Sequence, residues 1–111
     1  MTQHDDASRV HHMLDAAQKA VEFTKGKDRK SLDSDEQLTL SLTRLLEIIG
    51  EAAKSVSSDL QKKYPEIPWR DIAGTRDRLI HGYFDVDYDV VWEIVSVDLP
   101  VLIAQLKKLV A

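Results

Sequence analysis

Leu38-Thr39-Leu40-Ser41-Leu42-Thr43-Arg44-Leu45-Leu46-Glu47-Ile48-Ile49-Gly50-Glu51-Ala52-Ala53-Lys54-Ser55-Val56 decides how this chain folds. Leu38, Leu42, Leu45, Leu46, Ile49, Ala52, Ala53 and Val56 recur three and four apart, the spacing that collects side chains on one face of an α-helix. Asp33, followed three residues later by Glu36, offers a capping-box start. The longest helix and the centre of the core are therefore expected here. Leu40 and Ile48 fall off the stripe, so this helix is apolar on more than one side and is expected to meet a partner subunit as well as its own bundle.

Upstream, Val10, Met13, Leu14, Ala17, Ala20 and Val21 mark an amphipathic helix from Asp6 to Phe23, which Gly26 terminates. Downstream, Ser57-Ser58-Asp59 caps a short helical turn through Tyr64, and Pro65-Glu66-Ile67-Pro68 predicts an extended connection. Another helix is expected from Pro68 or Trp69 to Gly82-Tyr83. Asp87 reads as the N-cap of a last helix with Val90, Val91, Ile94 and Val95 inward, kinked at Pro100 before Leu102, Ile103, Leu106 and Val110. No strand is expected, and residues 1–111 read as one all-α domain, an antiparallel bundle of four to five helices.

At 111 residues and 43% hydrophobic, the chain can bury a core without metal or disulfide help. It has no cysteine, which excludes disulfides, thiolate zinc sites and cysteine nucleophiles and fits a reducing cytoplasm. The start, Met1-Thr2-Gln3-His4-Asp5-Asp6, lacks the basic and apolar regions of a signal peptide. No stretch approaches the roughly 20 apolar residues of a membrane helix. A cytoplasmic protein without membrane contact is expected. Fifteen basic against nineteen acidic side chains give a formal charge of −4, the wrong sign for coating nucleic acid by charge alone, so any RNA contact must be local.

The chemistry concentrates in Arg76-Asp77-Arg78-Leu79-Ile80-His81-Gly82-Tyr83. An arginine that keeps its charge, a histidine that exchanges a proton near neutrality and a phenol two residues on suit work on a phosphodiester. His81 would move the proton of a ribose 2′-hydroxyl or of the leaving oxygen, and Arg76 would offset charge on the phosphorane, with no metal or cofactor required. On a continuous helix Asp77 and His81 share a face, so Asp77 would accept from one imidazole nitrogen and fix its tautomer. Arg76 and His81, five apart, would point to different sides. A joint role then needs the arginine to bend round, the helix to end at His81, or a second copy in a twofold dimer. An ordinary Asp77–His81 surface pair with solvated arginines has the same spacing.

Other candidates are weaker. His11 and His12 point about 100° apart on a helix and cannot chelate one ion together, and His4 sits near the terminus. Asp85-Val86-Asp87-Tyr88-Asp89 imitates the opening of a calcium loop, but Val90 and Ser96 stand where glycine and glutamate are required. Lys25, Lys27, Arg29 and Lys30, with Lys62 and Lys63, read as solvated surface. Trp69, Phe84, Tyr88 and Trp92 read as core or interface aromatics.

Arg76-x-x-x-x-His81-x-Tyr83 resembles the RxxxxHxY signature of the HEPN superfamily. Three ordered blocks, Leu46 to Lys54, Tyr64 to Gly74 and His81 to Asp87, look like the HepT toxin family within it, and the resemblance spans roughly residues 7–110. It implies an all-α HEPN bundle, a homodimer whose motif helices form a cleft, and a metal-independent RNA-cleaving toxin. Its implied antitoxin partner is an MntA-like minimal nucleotidyltransferase. Carried over, Arg76 and His81 are catalytic, Asp77 supports them, and Tyr83 receives AMP. Many HEPN motifs have asparagine where this chain has Asp77, so negative charge is added to an RNA cleft. A non-catalytic HEPN module that binds the nucleotidyltransferase or a nucleotide stays open as the alternative.

Overall fold

The computed structural model describes residues 5–82 and 85–110, so Tyr83, Phe84 and His4 lie outside the described residues. Helix α1 runs Asp6–Phe23, as the periodicity predicts. Asp5 caps it, its carboxylate accepting from the Ser8 backbone N–H at 2.8 Å. Beyond its end Gly26 takes φ +72°, a turn that needs a glycine.

A short α2, Ser31–Ser34, precedes α3, Glu36–Ser55. The α3 cap is Asp35 and not Asp33: Asp35 has the extended backbone of an N-cap and accepts from the Leu38 N–H at 3.0 Å. Asp33 belongs to α2 and pairs with Arg29 at 3.1 Å. The Thr39 hydroxyl donates to the Leu32 carbonyl at 2.8 Å and ties the two helices together. Arg29 also donates to Asp89 at 2.6 Å and stands over the Tyr88 ring, so it is a structural clamp and not part of a solvated basic surface.

Helix α3 buries Leu38, Leu42, Leu46, Ile49, Ala52 and Ala53, with Leu45 half-buried. It packs on α1, whose Val10, Met13, Ala16, Ala17 and Ala20 are buried. Leu40 stays 61% exposed, while Ile48 is half-buried. Ser57 caps α4, Ser58–Lys63, as expected. The following prolines make a turn instead of an extended connection, since the Ile67 N–H donates to the Tyr64 carbonyl at 3.2 Å. That turn suits Pro65, which presets the backbone of its second position. The buried Trp69 donates its indole N–H to Tyr64 at 3.0 Å.

The expected motif helix is broken twice. Helix α5 spans Trp69–Ala73, α6 spans Thr75–Leu79, and the chain then extends into β1, Ile80–His81, paired antiparallel with β2, Asp85–Val86. At the first break the buried Thr75 hydroxyl donates to the Ile72 carbonyl at 2.6 Å, beside Gly74, a weak helix former. At the second, the Leu79 carbonyl accepts from the Asp87 backbone N–H at 2.7 Å instead of from a further helical turn. Gly82 reverses the chain with φ +77°. Ile80 pairs with Val86, and both pack against the core. The reward for burying these two β-branched residues together is what ends the helix two residues before His81.

Asp87 caps α7, Tyr88–Glu93, accepting from the Val90 N–H at 3.2 Å. Where a kink was expected, Ile94–Asp98 forms a π-helical segment leading into α8, Leu99–Val110. Pro100 offers no N–H, and the Leu99 N–H reaches back to Ile94, so the wider turn re-pairs the backbone there. Helix α8 packs on α1, and α5 and α6 pack on α3. The result is an all-α bundle with more and shorter helices than four to five, carrying one small hairpin.

Candidate functional site

The motif segment is held against α3 by a glycine. A Cβ on Gly50 would stand 3.1 Å from the Ile72 carbonyl oxygen and 3.6 Å from Thr75 Cβ, so the missing side chain lets the α5–α6 junction approach α3 closely. With Thr75 and Leu79 buried as its anchors, α6 turns Arg76, Asp77 and Arg78 to solvent.

Each basic group of the motif has a carboxylate near it. Arg76 Nε lies 3.9 Å from Glu47 Oε2 on α3, Arg78 Nη2 lies 3.9 Å from Asp98 Oδ2, and His81 Nε2 lies 3.5 Å from Asp87 Oδ2. The first two distances are attraction without a hydrogen bond. The Arg76 and His81 side chains keep 63% and 68% of their area exposed, so such pairs hold them weakly and leave both free to meet an anion.

Asp77 and His81 do not share a helical face, because His81 stands on β1. The carboxylate at the imidazole is Asp87, and the Asp77 side chain has no partner among the described residues. The orienting role given to Asp77 by helical spacing is corrected accordingly. Of the two ways a single chain could unite Arg76 and His81, the helix does end between them. The Asp87 carboxyl is held below its ordinary range, chiefly by the Val90 N–H and, against an opposing effect of burial, also by His81.

Glu47 and Asp87 are the residues the sequence reading missed as site members. Asp87 had a legible signal as a cap, and the hairpin that swings it to His81 did not. Glu47 had none, since it comes from another helix. Among the described residues no group of three or more His, Asp and Glu side chains is arranged to hold a metal ion, and no helix is long and apolar enough to cross a membrane.

A groove of about 430 Å³ runs behind α6, lined by Leu46, Ile49, Ile72, Thr75, Ile94 and Leu102, with Arg78 and Asp98 also on its wall. It contains neither Arg76 nor His81. The chemistry-bearing groups stand on open surface, which one copy leaves without walls.

An all-α bundle carrying an exposed arginine and, five residues on, an exposed histidine agrees with the resemblance to the HEPN superfamily. The chain belongs to the HepT-like family, whose description is Ribonuclease HepT-like and which matches residues 13–109. It is 41% identical over 97 residues to a protein of Thermococcus cleftensis named as a probable ribonuclease HepT, covering 87% of this chain and 88% of that one. It is 38% identical over 100 residues to a protein of Caldanaerobacter subterraneus provisionally named an RNase, covering 90% and 89%. A Methanocaldococcus jannaschii protein, also provisionally named an RNase, is 36% identical over 100 residues, covering 90% and 92%. No solved structure matches the chain significantly.

Proposed function

We propose that this protein is an endoribonuclease in which His81 transfers the proton and Arg76 stabilises the charged phosphorane. The observation that carries the reading is that both groups are exposed and only loosely countered, at 3.5 and 3.9 Å, in a chain whose relatives bear ribonuclease names. The imidazole takes the proton of the ribose 2′-hydroxyl as that oxygen attacks phosphorus. The P–O5′ bond then breaks and the 5′-oxygen takes up that proton from the imidazolium, directly or through water, giving a 2′,3′-cyclic phosphate and a 5′-hydroxyl. Arg76 matches the equatorial phosphorane oxygens with its planar donors. No step requires a metal.

The open site supports a homodimer in which a second copy supplies the missing wall, and Leu40, at 61% exposure, gives apolar surface for contact. In the same reading the chain is the toxin of a toxin–antitoxin pair, and an MntA-like nucleotidyltransferase silences it by attaching AMP to Tyr83. A phosphate and a bulky base two residues from His81 would compete with RNA both by charge and by size.

The test is cleavage of an RNA panel by purified chain in EDTA, with growth followed on expression of the chain alone. Arg76→Ala and His81→Ala are each expected to lose cleavage by about a hundredfold or more while retaining the fold. A parent that binds a nucleotidyltransferase but neither cleaves RNA nor arrests growth establishes the non-catalytic alternative, and cleavage that needs an added divalent metal overturns the mechanism.

A further inference from the structure

We infer that Asp87 is the positioning residue of this site: its carboxylate, fixed by capping α7, holds the His81 imidazole by Nε2 and turns Nδ1 toward substrate. The inference rests on His81 being the proton carrier. Alternation along the hairpin sends Ile80 and Val86 to the core, and it places His81, Asp85 and Asp87 on the opposite, solvent side. Asp85 is the cross-strand neighbour of His81, yet the approach at 3.5 Å is made by Asp87.

The two oxygens of Asp87 have separate duties. Oδ1 accepts the Val90 backbone N–H at 3.2 Å, and Oδ2 faces His81 Nε2 at 3.5 Å. The Asp87 N–H is itself bound to the Leu79 carbonyl at 2.7 Å. The carboxylate is thus clamped at backbone and side chain, on the element that follows the hairpin. At 3.5 Å the pair is an ion-pair contact and not a formed hydrogen bond; where it closes on substrate binding, the fixed acceptor at Nε2 keeps the proton on that nitrogen and leaves the Nδ1 lone pair for a 2′-hydroxyl. Distances of this kind tighten when substrate fills a site.

The other charged groups on the hairpin and the elements that flank it are Asp85, across the strand from His81, Arg76, Asp77 and Arg78 on α6, and Asp89 in the first turn of α7. None of them is paired with the ring. Asp89 is taken by Arg29 at 2.6 Å, Arg76 faces Glu47 and Arg78 faces Asp98.

Because the duties fall on different oxygens, they can be separated. Asp87→Asn keeps an oxygen for the cap but offers N–H₂ to Nε2, so the ring must present its lone pair there and carry its proton on Nδ1. Asp87→Ser also keeps a good cap and removes the partner altogether. Both variants are expected to retain the parent's helix content and to lose about a hundredfold in kcat with little change in KM. Asp77→Asn and Asp85→Asn should leave kcat near the parent's.

A second readout is independent of cleavage. In imidazole NMR of the full chain, Asp87→Asn should change the His81 tautomer, and Asp77→Asn should not. If the parent fails to cleave RNA but the tautomer changes, the ribonuclease reading fails and the positioning stands. An unchanged tautomer and parental kcat in Asp87→Asn, or the same losses from Asp77→Asn, overturn the inference.

Discussion

Gly50→Ala tests whether the site is positioned by a close helix contact. The added Cβ meets the Ile72 carbonyl at 3.1 Å, Thr75 Cβ at 3.6 Å and the Ala73 carbonyl at 3.8 Å. The first of these is a few tenths of an ångström too close. Because the atom is backbone, it retreats only if the whole α5–α6 junction moves. Overpacking of this kind costs about 1–3 kcal/mol, and replacing a helical glycine returns about 0.8–1.0 kcal/mol. The net is a loss of about 1 kcal/mol, or roughly 4 °C in melting midpoint for a domain near this size. Calorimetry reads the midpoint, and amide exchange and chemical shifts from Ile72 to Arg78 read the displacement. Cleavage should fall with them, because Arg76 moves with the junction. Gly26→Ala is the contrast: its strain comes from φ +72°, with nothing within 4 Å, so it costs stability without disturbing the motif. A Gly50→Ala protein that melts above the parent with unchanged shifts in α5–α6 refutes the reasoning.

Thr75→Val removes the hydroxyl that binds the Ile72 carbonyl at 2.6 Å and should cost about 1 kcal/mol by urea unfolding, with Thr75→Ser closer to the parent. Acid stability should depend on Asp6, whose carboxyl the Ser57 hydroxyl and backbone N–H hold below its ordinary value of 3.8. A lowered folded-state value stabilises above the unfolded value and ceases to do so as pH falls through the folded one. The difference in melting midpoint between parent and Asp6→Ala is therefore expected to be full at neutral pH and to close below pH 3.8; a difference independent of pH contradicts it.

The long elements were legible because one physical signal, apolar periodicity, dominates them. Helix α1 ends where the spacing of Val10, Met13, Ala17 and Ala20 predicts, and Leu38 to Ala53 form the core face of α3. The errors lie where local propensity is nearly balanced. Asp33 and Asp35 are both competent caps, and the Thr39–Leu32 bond, seven residues long, favours the second. Pro100 announces a disturbance, but its form as a π segment depends on which carbonyl Leu99 can reach. Residues 80–86 contain too few positions to show alternation, and the Ile80–Val86 pair takes its energy from a core that single-sequence spacing does not contain.

The helix end, three to four residues earlier than the spacing predicts, changes the chemistry assigned to the site. On an unbroken helix the carboxylate four residues before the histidine, Asp77, is the natural partner. With the helix ended at Leu79, the imidazole is served from the far side by Asp87, which the α7 cap already holds in place. Asp77 itself stays exposed on α6 between the two arginines. Arg76 is countered at 3.9 Å by Glu47 and Arg78 at 3.9 Å by Asp98, from helices that pack on α6 or lie beside it. Neither pair is hydrogen-bonded, and a phosphate offering two oxygens to a guanidinium fork competes well against a carboxylate at that distance. The local carboxylates then keep the arginines in position without consuming them, so a chain of net charge −4 can still leave the Arg76 guanidinium open to a phosphodiester.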